Sequence, residues 1–190
     1  MHAEGLTEGS ALREPLRRAL SARSPRKLPH GATQPAAILA PLFERRGEAY
    51  VWLVRRPQSM RSHAGQVAFP GGKSDPLDPT PLATALREAN EELGIEPADV
   101  DVLGALDDIN TITGFTISPW VGWLASDVPV RPNPTEVERA FAAPLRAFFE
   151  PQTGSWPRHG WNVEGELVWG ATAAIVRDFV AILREVAAAQ

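Results

Sequence analysis

The sequence predicts a single mixed α/β domain in which helices pack against a mixed sheet. Apolar segments of strand character come first, an amphipathic helix follows, two more apolar strands come next, and a long helix closes the chain. This order is typical of a mixed sheet with packed helices. The chain has 190 residues and is 44% hydrophobic. That is enough for one globular domain with its own core.

The first 33 residues form a polar extension, and residues 34–190 form the main domain. Leucines recur every four residues at Leu12, Leu16 and Leu20, which predicts a short amphipathic helix over residues 10–22. The stretch "SPRKLPHGATQP" that follows is predicted to be a linker, because proline, glycine and polar residues dominate it.

Strands and turns are predicted for the next fifty residues. The stretch "AAILAPLFERRGEAYVWLVRR" indicates two strands joined by a turn at residues 46–48. The stretch "GQVAFPGG" indicates a short strand that runs into a glycine turn, and "SDPLDPTP" indicates a loop punctuated by prolines.

A helix is predicted over "PLATALREANEEL", residues 81–93. Pro81 suits the first turn of a helix and Gly94 suits the C-terminal cap. Four residues spaced by four, three and four positions are predicted to form its buried stripe: Leu82, Leu86, Ala89 and Leu93.

The second half of the chain is predicted to contain strands and a final helix. The strands are "VDVLGALDDI" and "FTISPWVGWL", with "VPVRPNPTE" as a loop. The stretch "VERAFAAPLRAFFE" is predicted to be helical or turn-like and broken at Pro144. A Trp-rich hairpin or loop is predicted for "SWPRHGWNVEGELVWG", and a helix from about Thr172 to Ala188.

Composition narrows the classes of partner. A net charge of −4 gives no general attraction to nucleic acid or to anionic lipid. The chain lacks cysteine, so it has no disulfides, thiol nucleophiles or cysteine-ligated metals. It contains neither a signal-peptide core nor an apolar run of about 20 residues. We therefore expect a soluble cytoplasmic protein without nucleic-acid or membrane partners.

Three carboxylates lie within five positions of the predicted helix, at Glu88, Glu91 and Glu92. They fall on a different face from the apolar stripe, and like charges four residues apart repel by about 0.2–0.5 kcal/mol. Carboxylates near a helix C-terminus also oppose the helix dipole. A solvated acidic face is the simple explanation of such a cluster. A site for Mg²⁺ or Mn²⁺ is the alternative, because these cations prefer oxygen ligands.

The surrounding residues resemble the Nudix box. The stretch "REANEELGI", residues 87–95, matches the second half of that motif, and Gly72 and Asp78 stand for its first half. Asp78 replaces the usual glutamate, and eight residues instead of seven separate it from Arg87. The resemblance implies a Nudix-like α/β/α sandwich with a mixed sheet, and an enzyme that cleaves a substituted nucleoside diphosphate with the help of divalent cations.

An upstream segment resembles the additional signature of the Nudix subgroup that hydrolyses coenzyme A. It is "LVRRPQSMRSHAGQVAFPGGKSDPLD", residues 53–78, and "LVWGATAAIV" resembles a later segment of that subgroup. Val54 and Arg55 depart from the signature. Its matching residues are Arg56, Arg61, Gly65, Val67, Phe69, Pro70, Gly71, Gly72, Asp75 and Asp78. The resemblance implies cleavage of coenzyme A, and of its oxidised or acyl forms, to 3′,5′-ADP and 4′-phosphopantetheine.

The resemblance also assigns roles to the carboxylate helix. Glu88 and Glu92 are the expected primary metal ligands. Glu91 is expected to be a further ligand or the base that activates water, and Arg87 is expected to orient the glutamates. Glu91, Glu92 and Arg87 are therefore the catalytic candidates. His63 is expected to be structural or exposed, because the motif does not require it.

Arginines in the signature are candidates to bind the phosphates of the substrate, because guanidinium groups bind phosphate bidentately. Arg55 and Arg56 are adjacent on a strand and point to opposite faces, and Arg56 is favoured because it fits the signature. The glycines let the backbone approach the site. The substrate-binding candidates are Arg56, Arg61, Gly71, Gly72 and Lys73.

Three other interpretations remain open. A Nudix enzyme of this kind could act instead on ADP-ribose, NADH or a nucleoside triphosphate. A non-catalytic nucleotide-binding regulator belongs to another class, and an acidic interaction domain without a ligand to a third. The sequence fixes neither the number of metal ions, nor the base, nor the oligomeric state.

Overall fold

A computed structural model describes residues 9–29, 33–59, 64–125, 128–155 and 158–189 of the chain. The helices and strands are α1 (Gly9–Ala22), β1 (Gln34–Arg45), β2 (Glu48–Arg55), β3 (Val67–Ala68), β4 (Gly71–Lys73), α2 (Pro81–Leu93), β5 (Val100–Ala105), β6 (Ile109–Asn110), β7 (Phe115–Leu124), β8 (Arg139–Pro144), β9 (Trp161–Val163), β10 (Glu166–Val168) and α3 (Gly170–Ala188). Short 3₁₀ turns cover Pro97–Asp99 and Leu145–Phe149.

Eight strands form one mixed sheet with the order β3-β2-β1-β7-β5 along its main path. Strand β4 pairs with β1, β6 pairs with β7, and β8 pairs with β2. Strands β1 and β7 are parallel, whereas β1 is antiparallel to both β2 and β4. Helices cover both faces, so the predicted mixed sheet between helices is confirmed. Strands β9 and β10 form a separate hairpin, as the Trp-rich stretch indicated.

Strand β1 lies at the centre of the core, and its residues from Ala36 to Phe43 are all buried. Ala37, Leu39 and Phe43 contribute to the core on the α2 face of the sheet. Ile38 and Leu42 contribute to the core on the other face, against α1 and α3. Alternate side chains of a strand point to opposite faces, so an apolar run without polar alternation fits a strand that is covered on both sides.

Helix α1 confirms the helix expected over residues 10–22. Leu12, Leu16 and Leu20 are all buried in the core that α1 and α3 share with the sheet. Gly104 on β5 permits this close approach, because a Cβ there would lie 2.8 Å from Cβ of Leu20.

Charged contacts hold the segment around α1 against β5 and the residues that follow β5. Arg13 and Arg17 both form ion pairs with Asp101. Lys27 donates to Oδ1 of Asp108 at 3.0 Å, and the amide of Leu28 donates to Oδ2 of the same carboxylate at 3.0 Å. Asp108 is buried, so these contacts compensate a charge that would otherwise be costly to bury.

Helix α2 has the predicted bounds and both predicted end signals. Thr80 caps its N-terminus by accepting a hydrogen bond from the amide of Ala83 at 3.1 Å, and Pro81 occupies the first turn. Gly94 ends the helix in the left-handed region with a φ of 65°.

The buried face of α2 differs from the predicted stripe. Ala89 and Leu93 are buried as expected, whereas Leu82 and Leu86 are only half-buried. The fully buried positions are Thr84, Ala85, Ala89, Glu92 and Leu93. The prediction that Glu92 lies apart from the buried face is therefore wrong, because this face packs on a site that needs a carboxylate inside it.

Two further local predictions are wrong. The helical interpretation of "VERAFAAPLRAFFE" fails in its first half, because residues 139–144 form β8 and only residues 145–149 are helical, as a 3₁₀ turn. Strand β8 pairs with β2 from Arg139 to Pro144, so pairing with an open sheet edge overrides the local preference. Gly71 and Gly72 form part of β4 and do not make a turn. Likewise, Gln34 and Pro35 begin β1, although the linker was expected to include them.

Among the described residues, no helix combines the length and the apolar character that a membrane span requires.

Candidate functional site

Three carboxylates meet where α2 packs against β4 and the loop that precedes β8. They belong to Glu88, Glu92 and Glu136, and each offers an oxygen atom within 4.8 Å of the other two. Glu88 and Glu92 are one helical turn apart on α2, so they project to the same side. The prediction that these two glutamates lie together is therefore realised, with a third carboxylate from elsewhere in the chain.

Glu92 is the most enclosed member of this cluster, with a relative exposure of 1%. Its Oε2 accepts a hydrogen bond from the amide of Gly71 at 3.1 Å, and its Oε1 lies 3.6 Å from Nη1 of Arg56. Burial raises the pKa of Glu92 to about 8, and the neighbouring charges of Glu88 and Glu136 add to this effect. The Gly71 amide and Arg56 act in the opposite direction. The site thus holds a carboxylate that lacks enough positive charge around it.

Glu88 lies directly against the backbone of Gly72. A Cβ at position 72 would lie 2.5 Å from Oε1 of Glu88, so only glycine leaves room for this carboxylate. Gly72 has no positive φ, and the requirement for glycine therefore comes from space and not from backbone conformation. Burial also raises the pKa of Glu88, although the adjacent Arg87 lowers it in part.

Glu136 is the functional candidate that sequence reasoning missed. The amide of Asn133 donates to the carbonyl oxygen of Glu92 at 2.9 Å, which ties the loop to the end of α2. Asn133 also accepts from the amide of Thr135 and donates to Oε1 of Glu136 at 3.3 Å. The stretch "NPTE" does signal a turn, but nothing in its spacing connects it to α2.

Arg87 connects the carboxylates of α2 to the loop that precedes this helix. It donates to Oδ2 of Asp78 from Nη2 at 3.0 Å, and from Nη1 to Glu88 at 3.0 Å and to Glu91 at 2.9 Å. Asp78 also accepts from the hydroxyl of Thr84 at 2.8 Å. The Arg87 guanidinium lowers the pKa of Asp78 to about 2, although burial acts against this shift. Asp78 therefore anchors Arg87.

Glu91 is exposed and lies outside the group of three carboxylates that could share one ion. Its contact is the ion pair with Arg87, four residues earlier on the helix. The expected roles of Glu91, as a further ligand or as the base, stay predictions.

The substrate-binding candidates divide into two groups. Arg56 faces the cluster, whereas Arg55 points away and pairs with Glu138 and Glu166 at 2.9 Å each. This opposition follows from their adjacent positions at the end of β2. Lys73 is exposed and its Nζ lies 5.4 Å from the ring centre of Phe115.

Some predicted residues lie outside the described part of the chain, namely Arg61, His63 and Trp156. Among the other tryptophans, Trp123 and Trp161 are buried, and Trp120 and Trp169 are half-buried.

The chemistry of the cluster fits a hard divalent cation. Oxygen ligands of Mg²⁺ lie about 2.1 Å from the ion, so two of them are about 3–4 Å apart. The oxygens of Glu88, Glu92 and Glu136 already lie within 4.8 Å, and small side-chain movements would bring them to one ion. A cation would also neutralise the repulsion that raises the pKa of Glu92. The residues present therefore fit the metal that the sequence suggested.

The fold is similar to that of solved Nudix structures. The Nudix hydrolase RenU of M. smegmatis superimposes with a TM-score of 0.59 and 21% sequence identity, covering 83% of this chain and 87% of RenU. At this identity the similarity describes the fold alone.

Sequence comparison identifies the family. A model of the NUDIX domain matches residues 32–160. The uncharacterized Nudix hydrolase NudL of Cronobacter sakazakii is 38% identical over 159 residues, covering 75% of this chain and 79% of that relative. The protein of the same name from Yersinia enterocolitica is 40% identical over 152 residues, covering 75% and 77%. With the fold, the carboxylate helix and these relatives in agreement, the protein belongs to the Nudix hydrolase family.

Proposed function

We propose that this Nudix hydrolase cleaves the diphosphate of coenzyme A, including its oxidised or acyl forms, to give 3′,5′-ADP and 4′-phosphopantetheine. The observation that carries the proposal is the position of the segment from Leu53 to Asp78, which resembles the coenzyme A signature. This segment surrounds the carboxylate cluster: Arg56 and Gly71 contact Glu92, Gly72 lies against Glu88, and Asp78 holds Arg87.

The residues of the cluster have separable roles in this reaction. Glu88, Glu92 and Glu136 would hold Mg²⁺ or Mn²⁺, which supplies positive charge to the diphosphate and makes water a better nucleophile. Arg87 fixes the orientation of Glu88 through a contact of 3.0 Å. Glu91 is exposed and oriented by Arg87, and it is our candidate to accept the proton of the attacking water.

Arg56 is our candidate to bind the diphosphate. Its guanidinium lies 3.6 Å from Glu92, so a substrate phosphate at the metal site would come within its reach. Its Nε is buried and has no hydrogen-bond partner, which leaves a donor available in this part of the described structure. Recognition of the 3′-phosphate of coenzyme A then falls to the other basic candidates of the signature, Arg61 and Lys73.

A comparison of substrates tests the proposal. The full chain is incubated with Mg²⁺ or Mn²⁺ and each of coenzyme A, its disulfide, an acyl-CoA, ADP-ribose and NADH, and product masses are recorded. We expect coenzyme A or one of its derivatives to have the highest kcat/KM. Faster cleavage of ADP-ribose or NADH would refute the proposed substrate while leaving the family intact. Absence of cleavage of every compound would favour the nucleotide-binding regulator, with Glu92→Gln as the inactive control.

A further inference from the structure

A pocket far from the carboxylate cluster lies at the end of the sheet where β1 turns into β2. Its volume is about 360 Å³, within the range of small-molecule sites. The residues that line it are Phe43, Glu44, Arg45, Arg46, Trp52, Leu124, Ala125 and Val128. None of them belongs to the Nudix box or to the coenzyme A signature, so the proposed reaction leaves this pocket without a role.

Aromatic rings form one wall of the pocket. The rings of Phe43 and Trp52 are stacked, with centroids 5.2 Å apart and an interplanar angle of 16°. Tyr50 extends the cluster, since its ring centroid lies 5.7 Å from that of Phe43. Trp52 is only half-buried, so part of its ring remains accessible at the pocket. An exposed, rigid aromatic surface of this kind favours a planar aromatic ligand.

Arginines give the rim of the pocket a positive charge. The guanidinium of Arg45 lies 5.3 Å from the ring centres of both Phe43 and Tyr50. Arg46 occupies the turn with a φ of 54°, and both arginines are exposed. Glu48 on the same hairpin is paired with Arg146 at 2.5 Å. Across the described residues, neither Arg45 nor Arg46 has an ion-pair partner, and Glu44 is the single carboxylate that lines the pocket.

The separation from the cluster is set by the register of β1. Ile38 pairs with Gly71, whose amide contacts Glu92, and Phe43 lies five residues further along β1. At about 3.3 Å per residue, these positions are about 16 Å apart. A nucleobase does not reach that far from its own 5′-phosphates. A nucleotide in the pocket would therefore differ from one whose diphosphate is held at the cluster.

We propose that this pocket is a second nucleotide site, in which a nucleobase stacks on the Trp52 and Phe43 wall and its phosphates contact Arg45 and Arg46. The ligand class is a nucleobase that carries one or more phosphate groups, because aromatic stacking and unpaired guanidinium groups together select that combination. The inference does not depend on coenzyme A as the substrate. It assigns the pocket to a free nucleotide, such as a released product, and not to the far end of the substrate.

Calorimetry with the full chain in EDTA tests this proposal, since chelation removes any metal from the carboxylate cluster. The probes are adenosine 3′,5′-bisphosphate and adenosine. We expect the bisphosphate to bind, and adenosine to bind at least about tenfold more weakly because it lacks the charge-assisted contacts. Arg45→Gln and Arg46→Gln should each weaken bisphosphate binding about tenfold. Trp52→Leu should do so as well.

Arg18→Gln is the matched control, because Arg18 is exposed on α1 and the substitution makes the same change in net charge. Its affinity should equal that of the wild type. If Trp52→Leu fails to fold, the two arginine variants at exposed positions still decide the outcome. Absence of bisphosphate binding, or equal affinity in all variants, would overturn the proposal. An equal rise in the substrate KM without added nucleotide would assign the pocket to the substrate and also overturn it.

Discussion

Nη2 of Arg87 lies 3.0 Å from Oδ2 of Asp78, although the two residues come from different elements. This ion pair joins the loop before α2 to the side of the helix that carries the metal-ligand candidates. Arg87 also contacts Glu88 and Glu91, so Asp78 indirectly fixes the orientation of both glutamates. The aspartate that replaces the usual glutamate of the Nudix box thus retains an arginine contact.

Replacing Asp78 with asparagine should destabilise the protein by about 1.5–3 kcal/mol at neutral pH, because a hydrogen-bonded ion pair is lost. The pKa of Asp78 in the folded protein is about 2, below its ordinary value of 3.8. Its contribution is therefore complete above about pH 4 and is lost as the pH falls toward 2. Urea denaturation of wild type and D78N should show a difference that narrows over this range. Asp99→Asn, at an exposed position, should show no such difference.

Replacing Gly72 with alanine should reduce activity before it reduces stability. The added Cβ would lie 2.5 Å from the carboxylate of Glu88, which is the flexible end of a side chain and can move away. Gly71→Ala is the contrasting variant, because its φ is 158° and its Cβ would lie 2.7 Å from the Cα of Ile38. We expect G71A to lose thermal stability and G72A to lose kcat with a melting temperature near that of the wild type. Equal losses of stability would contradict this distinction.

The variants Glu88→Gln and Glu92→Gln should each lose most of the activity while keeping or gaining thermal stability. Each removes one charge from a repelling pair four residues apart, and neither removes volume. Measurement of hydrolysis and of thermal unfolding without added metal tests both parts of the expectation. We expect the same result for Glu136→Gln. Loss of activity accompanied by unfolding would indicate a structural role for these glutamates.

The basic residues of the signature should separate in their effects on KM. Arg56→Ala should raise the KM for coenzyme A and for 3′-dephospho-coenzyme A by similar factors, because Arg56 lies beside Glu92. Arg61→Ala should raise the KM for coenzyme A more, because a lost charge-assisted contact costs about 1.5–3 kcal/mol. A preferential effect of Arg56→Ala on coenzyme A would instead assign the 3′-phosphate to Arg56.

Hydrolysis in ¹⁸O-water should label one product and not both. The cluster can hold a nucleophilic water in line with one phosphorus atom at a time, and basic contacts to the 3′-phosphate end would fix that choice. We expect the label in 3′,5′-ADP, which mass spectrometry of the two products would detect. Substantial label in both products would mean that the diphosphate is held loosely.

Local signals in the sequence predicted the helices well because each helix carries its own instructions. Thr80, Pro81 and Gly94 define the ends of α2, and Leu12, Leu16 and Leu20 define the buried side of α1. The long strands were equally legible, since their apolar runs are bounded by turn residues. These features require no knowledge of distant contacts.

Features that depend on distant contacts escaped prediction. Residues 139–144 form a strand because β2 offers them an edge, which no local pattern reveals. Glu136 joins Glu88 and Glu92 because Asn133 bonds to the end of α2. Glu92 is buried because the glycines of β4 bring their backbone over it. In each case the decisive partner lies far away in the sequence.

The attachment of α1 bears on how this protein should be produced in the laboratory. The recognisable family segment begins after α1 and ends before α3, yet both helices bury apolar side chains in one core with the sheet. A clone trimmed to residues 32–160 would leave that face of the sheet bare, as well as the carboxylate of Asp108 without Lys27. We expect such a fragment to aggregate on expression, since a large bare apolar face promotes self-association. The smallest fragment worth cloning therefore begins before α1 and ends after α3.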